Sequence, residues 1–443
     1  MGFAGMANLT ILIIGLHCLA GFWSQSSQGQ DRAAEGKTQL WSPPNAGDYP
    51  ILSKALEETS SPQEFLLWLK MQGQVPFEEG GSHWIFSSQY HLVAGEFSQW
   101  QAVAMTLLRE DALSGQKLYG FRLTGKLTPS SSLDGYKFVD GKGDFHADPL
   151  ATWFVRDGFG ELSLLQDPRP AAAMVNRNLD TYFRRAWSVP GDGRLKPRWL
   201  VVAVPTGQGP WPILVMQDGQ NLFAPEAPFG GWKVDQALRM LGAKVLVVGI
   251  DNTDQRMAEY THTDDLDFGT ATNPSSLGDA YADYVTTEVL AMAEALFPVT
   301  PKIGIMGSSL GGLISLWTAG RHPGVYAWAG SLSGTLGWGR LKKNQKTILE
   351  HWFEAPPNSG FYYVDSGGAL KSGSCPELGS KGWSSPSYQD ADNYCANYEF
   401  RRKMQPVLAQ GLQYHWQENA SHNEAAWAAR LPLALKSFLA TQP

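Results

Sequence analysis

"KIGIMGSSLGGLISL", residues 302–316, is the stretch whose reading decides the fold. The apolar run Ile303, Ile305 and Met306 reads as a buried strand, Gly307 breaks it, and Leu310 to Ala319 reads as a helix packed back on that strand. Between them lies Gly307-Ser308-Ser309-Leu310-Gly311, the pattern G-x-S-x-G with Ser309 at its centre. In such an elbow the central residue occupies a strained turn that lifts its side chain above the sheet, and the flanking glycines relieve crowding between strand and helix. Ser309 is therefore the candidate nucleophile and Ser308 its neighbour. A glycine-serine loop without chemistry is the competing reading, and it leaves the strand before and the helix after unexplained.

Working outward from the elbow, apolar strands alternate with helical segments: "RWLVVAVP", "WPILVMQDGQ", "AKVLVVGID", the elbow strand, "VYAWAGSLSG" and "FYYVDSGG", with "VDQALRML" and "DAYADYVTTEVLAMAEALF" between several of them. That alternation predicts an α/β domain with a mostly parallel sheet over residues 175–443. Such sheets place their chemistry at the carboxyl ends of the strands.

A serine hydroxyl is a weak nucleophile at neutral pH and needs a base, with the chain order serine, acid, histidine. His422 follows the strand-like "LQYHW" and precedes a helix from Glu424 to about Leu439, so it is the candidate base; His415 lies inside the strand pattern and reads as a packed histidine. Three carboxylates compete for the acid. Asp392 ranks first because it lies three residues from Cys395, Asp365 ranks second at the end of "FYYVD", and Asp390 ranks third. A serine–histidine dyad is also compatible with the sequence. The oxyanion would be held by the amides of Leu310, next after the nucleophile, and of Gln220, in the turn after "ILVMQDGQ".

The N-terminal part differs. Residues 1–30 contain an uncharged apolar stretch from Leu9 to Trp23 followed by a polar tract, too short to span a bilayer and suited to a secretory signal peptide. Cys18 lacks the small residue expected just before a lipidated cysteine. Residues 31–75 read as linker and short helices, and 76–168, with "HWIFSS", "YHLVAG" and "YGFRLTG", as a small β-sandwich in which Trp100 and Phe138 are core. Asp140, Asp144 and Asp148 match no calcium-loop spacing, so no metal is assigned. Export leaves Cys375 and Cys395 in an oxidising compartment, and a bridge between them would close a loop of about 20 residues.

Composition is that of a globular protein, and a formal charge of -7 argues against nucleic acid or an anionic membrane surface as partner, since both select basic patches.

Four motifs in order, "ILVMQDGQNLF", "VLVVGIDNTDQRMAEYT", "GIMGSSLGGLISL" and "SHNEAAW", resemble the esterase family of α/β hydrolases that includes enterochelin esterases, feruloyl esterases and mycolyltransferases. The region around "AGEFSQW" and "GYKFVDGKGDFHADPLA" resembles the early-set immunoglobulin-like domains preceding the catalytic domain in enterochelin esterases and starch-active enzymes. The resemblance implies an α/β-hydrolase domain preceded by an immunoglobulin-like β-sandwich, with Ser309 and His422 catalytic and Leu310 and Gln220 as oxyanion donors. It places Arg256, Glu259 and Tyr260 on the family's R-x-x-E-Y stretch in a structural or substrate-rim role. An insertion after Asp365 departs from the family pattern, and no Arg/Lys cluster suited to an anionic ferric siderophore is present. The expected activity is carboxylic ester hydrolysis without metal or organic cofactor, on a small-molecule ester that is carbohydrate- or siderophore-linked. Acyl transfer and a non-catalytic glycan- or siderophore-binding role are the alternatives.

Overall fold

The computed structural model describes residues 47–124, 133–168, 174, 179–224, 227, 230–265, 275–357, 360–370, 374–375 and 392–441. The apolar leader, Cys18 and Asp390 lie outside the described residues.

The elbow strand Val299–Ser308 is central because its apolar run is buried on both faces, as a parallel strand covered by helices requires. It pairs in parallel with Trp211–Gln217 on one side (Ile305 opposite Val215) and with Trp328–Leu332 on the other (Ile305 opposite Ala329). Beyond Trp328–Leu332 follow Phe361–Ser366 and Leu412–Trp416, both parallel. On the other side follow Leu246–Ile250, parallel, and then Arg198–Pro205 and Thr181–Ser188, antiparallel. The chain moves outward from Trp211–Gln217 to Leu246–Ile250, then returns to add Val299–Ser308 on the opposite side. The strand order therefore reverses at this pair, and the loops leaving its carboxyl ends diverge to open a crevice. Asp218–Gln220 and Ser309 stand at those two ends.

Helices cover both faces. The elbow helix Leu310–Arg321 and helix Gly278–Tyr284 bury Leu313, Leu316, Tyr281 and Tyr284 against one face. Helices Val234–Met240 and Glu424–Ala440 bury Ala237, Leu238, Leu431, Leu435 and Phe438 against the other.

Helices Pro50–Glu58 and Pro62–Met71 form where "ILSKALEETSSPQEFLLWLK" shows helical spacing, the second capped by the Ser61 hydroxyl accepting from the Glu64 amide. They pack Leu52, Phe65 and Leu69 on a four-stranded antiparallel sheet in the order Phe77–Glu79, Ser82–Ser87, Lys117–Thr124, Thr106–Glu110. The other face of that sheet shares a core with a second sheet, through Ile85 and Phe121 against Val93, Tyr136 and Phe138. Phe138 is buried as expected; Trp100 is half-buried, in a left-handed backbone conformation (φ 62°).

The expected division between residues 168 and 175 does not interrupt the β-structure. Strand Trp153–Asp157 pairs antiparallel with Thr181–Ser188, Phe154 opposite Phe183, so the N-terminal strands and the strands around the elbow belong to one 14-stranded sheet. Thr181–Ser188 would otherwise be an edge with unpaired ladder groups. The junction is reinforced by Phe154 stacked on Phe183 (5.0 Å), Arg185 over the Phe154 ring (3.9 Å) and an Arg185–Glu161 ion pair of 2.7 Å.

Cys375 and Cys395 are disulfide-bonded, with Cα atoms 5.2 Å apart. Among the described residues no helix is long and apolar enough to cross a membrane. Replacing both cysteines by serine is expected to lower the unfolding free energy by about 2–3 kcal/mol, by the loop-closure argument. The check is a lower urea midpoint at unchanged slope; an unmoved midpoint would show that the loop is ordered without the bond.

Candidate active site

Ser309 has φ 54° and ψ -124°, a combination open to a non-glycine residue only where the surroundings enforce it. Its amide donates to the Leu332 carbonyl (3.0 Å), and its carbonyl accepts from the amides of Gly312, Leu313 and Thr335 (3.1 Å each). The close approach of strand and helix explains Gly307: a Cβ there would lie 2.6 Å from the Gly311 carbonyl carbon. Both the elbow strand and the elbow helix thus fix the turn, and the half-buried Ser309 hydroxyl is left above the sheet.

The Ser309 hydroxyl lies 3.0 Å from His422 Nε2, and His422 Nδ1 lies 2.6 Å from Asp392 Oδ1. Thr335 Oγ1 is a second neighbour of the serine hydroxyl at 3.3 Å. His422 sits on the loop between strand Leu412–Trp416 and helix Glu424–Ala440, its ring edge-on to Trp427 with centroids 5.0 Å apart. His415 pairs in register with Asp365 inside its strand, and burial lowers its pKa.

Asp392 precedes helix Tyr394–Leu408, and both it and Asn393 adopt left-handed conformations, with φ 59° and 56°. Asn393 Nδ2 donates to the Ser333 carbonyl (2.9 Å), which ties this turn to the strand beside the elbow strand. The second oxygen of Asp392 accepts from the Ser333 hydroxyl (2.6 Å) and from the Gly367 amide.

Asp365, the second-ranked acid, has no hydrogen bond to His422. It is fully buried, accepting from Arg430 Nε (3.1 Å), the Ser333 amide (3.1 Å) and the Tyr363 hydroxyl (3.3 Å). Arg430, also buried, donates to the Ser333 hydroxyl (2.7 Å) and lies 3.7 Å from Asp392. One guanidinium therefore serves two carboxylates through a shared serine. Burial pushes the Asp365 carboxyl up to about 6, while Arg430 pulls it down. Arg430, Ser333 and Thr335 escaped the sequence reading. Only Arg430 carried a signal: it stands on the apolar stripe of its helix, between Trp427 and Leu431, where a charge has to find a partner.

On the opposite side of Ser309, Asp218 turns the chain with φ 56° into the short helix Gly219–Asn221. A Cβ on Gly219 would lie 2.7 Å from both an Asp251 oxygen and the Gly249 carbonyl carbon, so this turn too depends on close approach. Leu310 and Gln220 both lie in the first turn of a helix, where backbone amides lack intrahelical acceptors. The Gln220 side chain is fixed by accepting from the Asn252 amide (3.1 Å). Asp218 accepts from Arg256 through two bonds (2.7 and 2.8 Å) and from Asn252 (2.6 Å). Glu259 is buried in a two-bond pair with Arg198 (2.9 and 2.5 Å), and Tyr260 accepts from the Asp218 amide (3.2 Å). Arg256 and Tyr260 thus hold the Asp218 turn, with Arg256 also at the edge of a cavity of about 330 Å³ next to Ser309. Among the described residues no group of three or more His, Cys, Asp or Glu side chains is arranged to hold a metal ion.

Residues 197–438 match the family described as "Putative esterase". This is more than half of the chain, and the protein belongs to that esterase family, a class of hydrolases. A curated relative, the uncharacterized protein YbbA of Bacillus subtilis, is 28% identical over 142 residues, which is 31% of this chain and 55% of that protein. The chain thus spans about half the length of this relative. Similar solved structures include the enterobactin esterase FES of Shigella flexneri (14% identity, TM-score 0.42, covering 86% of this chain and 99% of that one). Others are an IroE-like serine hydrolase of Shewanella oneidensis (17%, TM-score 0.40, covering 58% and 80%) and the siderophore hydrolase EstA of Aspergillus nidulans (14%, TM-score 0.42, covering 58% and 95%).

The Arg430 network has a pH signature. The folded-state pKa of Asp365, about 6, lies above its unfolded value of 3.8, so the proton it holds stabilises the fold fully below the lower value and that contribution is lost as pH rises through the upper one. Arg430→Met leaves Asp365 and Asp392 buried without their shared cation, at an expected cost of about 3–5 kcal/mol at pH 7. At pH 5 the loss should be smaller, because Asp365 is then mostly protonated in both proteins. Urea denaturation at the two pH values checks this, and equal losses would exclude Asp365 as the group responsible.

Proposed function

We propose that this protein is a serine carboxylic ester hydrolase acting through an acyl-enzyme. The observation that carries the reading is the continuous contact from Ser309 Oγ to His422 Nε2 and from His422 Nδ1 to Asp392, built on a strained elbow. Ser309 attacks the ester carbonyl while His422 Nε2 takes its proton, and Asp392 holds the other ring nitrogen protonated and stabilises the imidazolium. The amides of Leu310 and Gln220 hold the oxyanion. His422 returns the proton to the departing alcohol; a water, deprotonated by the same nitrogen, then releases the acid and restores the serine. Ser333, Arg430 and Gly367 act on the reaction through Asp392, whose second oxygen they hold.

The Cys375–Cys395 bond and the apolar stretch Leu9 to Trp23 support a place outside the cytoplasm. The shared core of the two N-terminal sheets supports reading residues 76–168 as an immunoglobulin-like module, one joined to the catalytic part by strand pairing.

A fluorophosphonate probe is expected to add once to wild type, by intact mass, and not to Ser309→Ala. An adduct surviving the mutation would mean another serine is the nucleophile, and no adduct on folded wild type would end the reading. On 4-nitrophenyl butyrate, Asp392→Asn should lower kcat by roughly 10³–10⁴. Asp365→Asn, which spares the contact to His422, should lower it by no more than about tenfold in the folded fraction. The reverse order of effects would transfer the acid to Asp365.

A further inference from the structure

Among the described residues the buried carboxylates divide unevenly. Asp148, Asp218, Glu259, Asp265, Asp365, Asp392 and Glu399 all accept directed hydrogen bonds or ion pairs from the protein. Glu424, 9% exposed, makes neither. It is the first residue of helix Glu424–Ala440, behind the cap Asn423, so the helix dipole favours its charge, but a dipole end is diffuse and supplies no partner. Its oxygens are not fully enclosed, and an unpaired carboxylate on an otherwise buried residue calls for an explanation.

Its position supplies one. Glu424 lines the cavity beside Ser309 together with Trp232 and Trp427, whose ring centroids are 5.9 Å apart. The other charges on that wall cancel, since Arg256 and Asp218 are bonded to each other through two contacts. Among the described lining residues the cavity therefore carries one uncompensated negative charge, that of Glu424 beside two indoles, surroundings that attract a cation by charge.

We infer that the ester taken by this site carries an alkylammonium group, bound by Glu424 on the cavity wall that Trp232 and Trp427 also line. This rests on the serine esterase reading and adds the class of substrate to it. An anionic substrate would instead meet a like charge, which disfavours it.

The test uses two pairs of esters, each a quaternary ammonium compound and its uncharged carbon isostere. One pair places the charge on the acyl side, 4-nitrophenyl 4-(trimethylammonio)butyrate against 4-nitrophenyl 5,5-dimethylhexanoate. The other places it on the leaving group, butyrylthiocholine against 3,3-dimethylbutyl thiobutyrate. Wild type is expected to prefer the charged member of at least one pair by roughly tenfold or more in kcat/KM, with the ratio falling toward one in Glu424→Gln. No preference in either pair, or a preference that survives Glu424→Gln, overturns the inference while leaving ester hydrolysis intact. Hydrolysis of none of the four would instead sink the serine esterase reading. In that event calorimetric titration of Ser309→Ala with tetramethylammonium decides the cation site independently of turnover: binding weakened at least about tenfold by adding Glu424→Gln supports it, and no binding removes it.

Discussion

The constraint on which the rest depends is the backbone of Ser309. Its φ and ψ are unfavourable for any side-chain-bearing residue, and three amides plus one carbonyl hold it there. The strain is tolerable because Gly307 lets the elbow strand and elbow helix approach more closely than a side chain allows, while Gly311 leaves room for Gln217 on the neighbouring strand. From that point the remaining geometry follows. The central strand must be buried on both faces, helices must cover it, and the loops ending the neighbouring strands must meet above the serine.

The acid side of the site is a second, polar core. Asp365, Arg430, Ser333 and Asp392 are all buried, and every hydrogen bond linking them crosses between separate elements: two strands, the Asp392 turn and the last helix. Arg430 arrives on the helix that follows His422, so the segment presenting His422 also presents the cation beside Asp392. His422 and Asp392 are thereby kept in register by one helix.

The α/β arrangement around the elbow and the candidate residues Ser309 and His422 were legible in the sequence because their signals are local. Ser309 sits between an apolar strand and a helix, and His422 stands just ahead of a helix start. Asp392 was legible through its distance from Cys395. The polar core was not, because its contacts join residues 65 and 97 positions apart that no short pattern connects. Nor was strand Thr181–Ser188, where Arg184 and Arg185 interrupt the apolar alternation; in the fold Arg185 is spent on Glu161 and the Phe154 ring. That strand pairs the N-terminal strands with the sheet around the elbow.

That sheet has a mechanical consequence. Two modules joined by a linker can rotate about it, but modules joined by paired strands, a stacked aromatic pair and a half-buried ion pair can rotate only by breaking the ladder. The N-terminal strands therefore behave as an extension of the catalytic scaffold, stiffening the edge farthest from His422. Freedom to adjust is left to the loops at the carboxyl ends of the strands, where the cavity beside Ser309 lies.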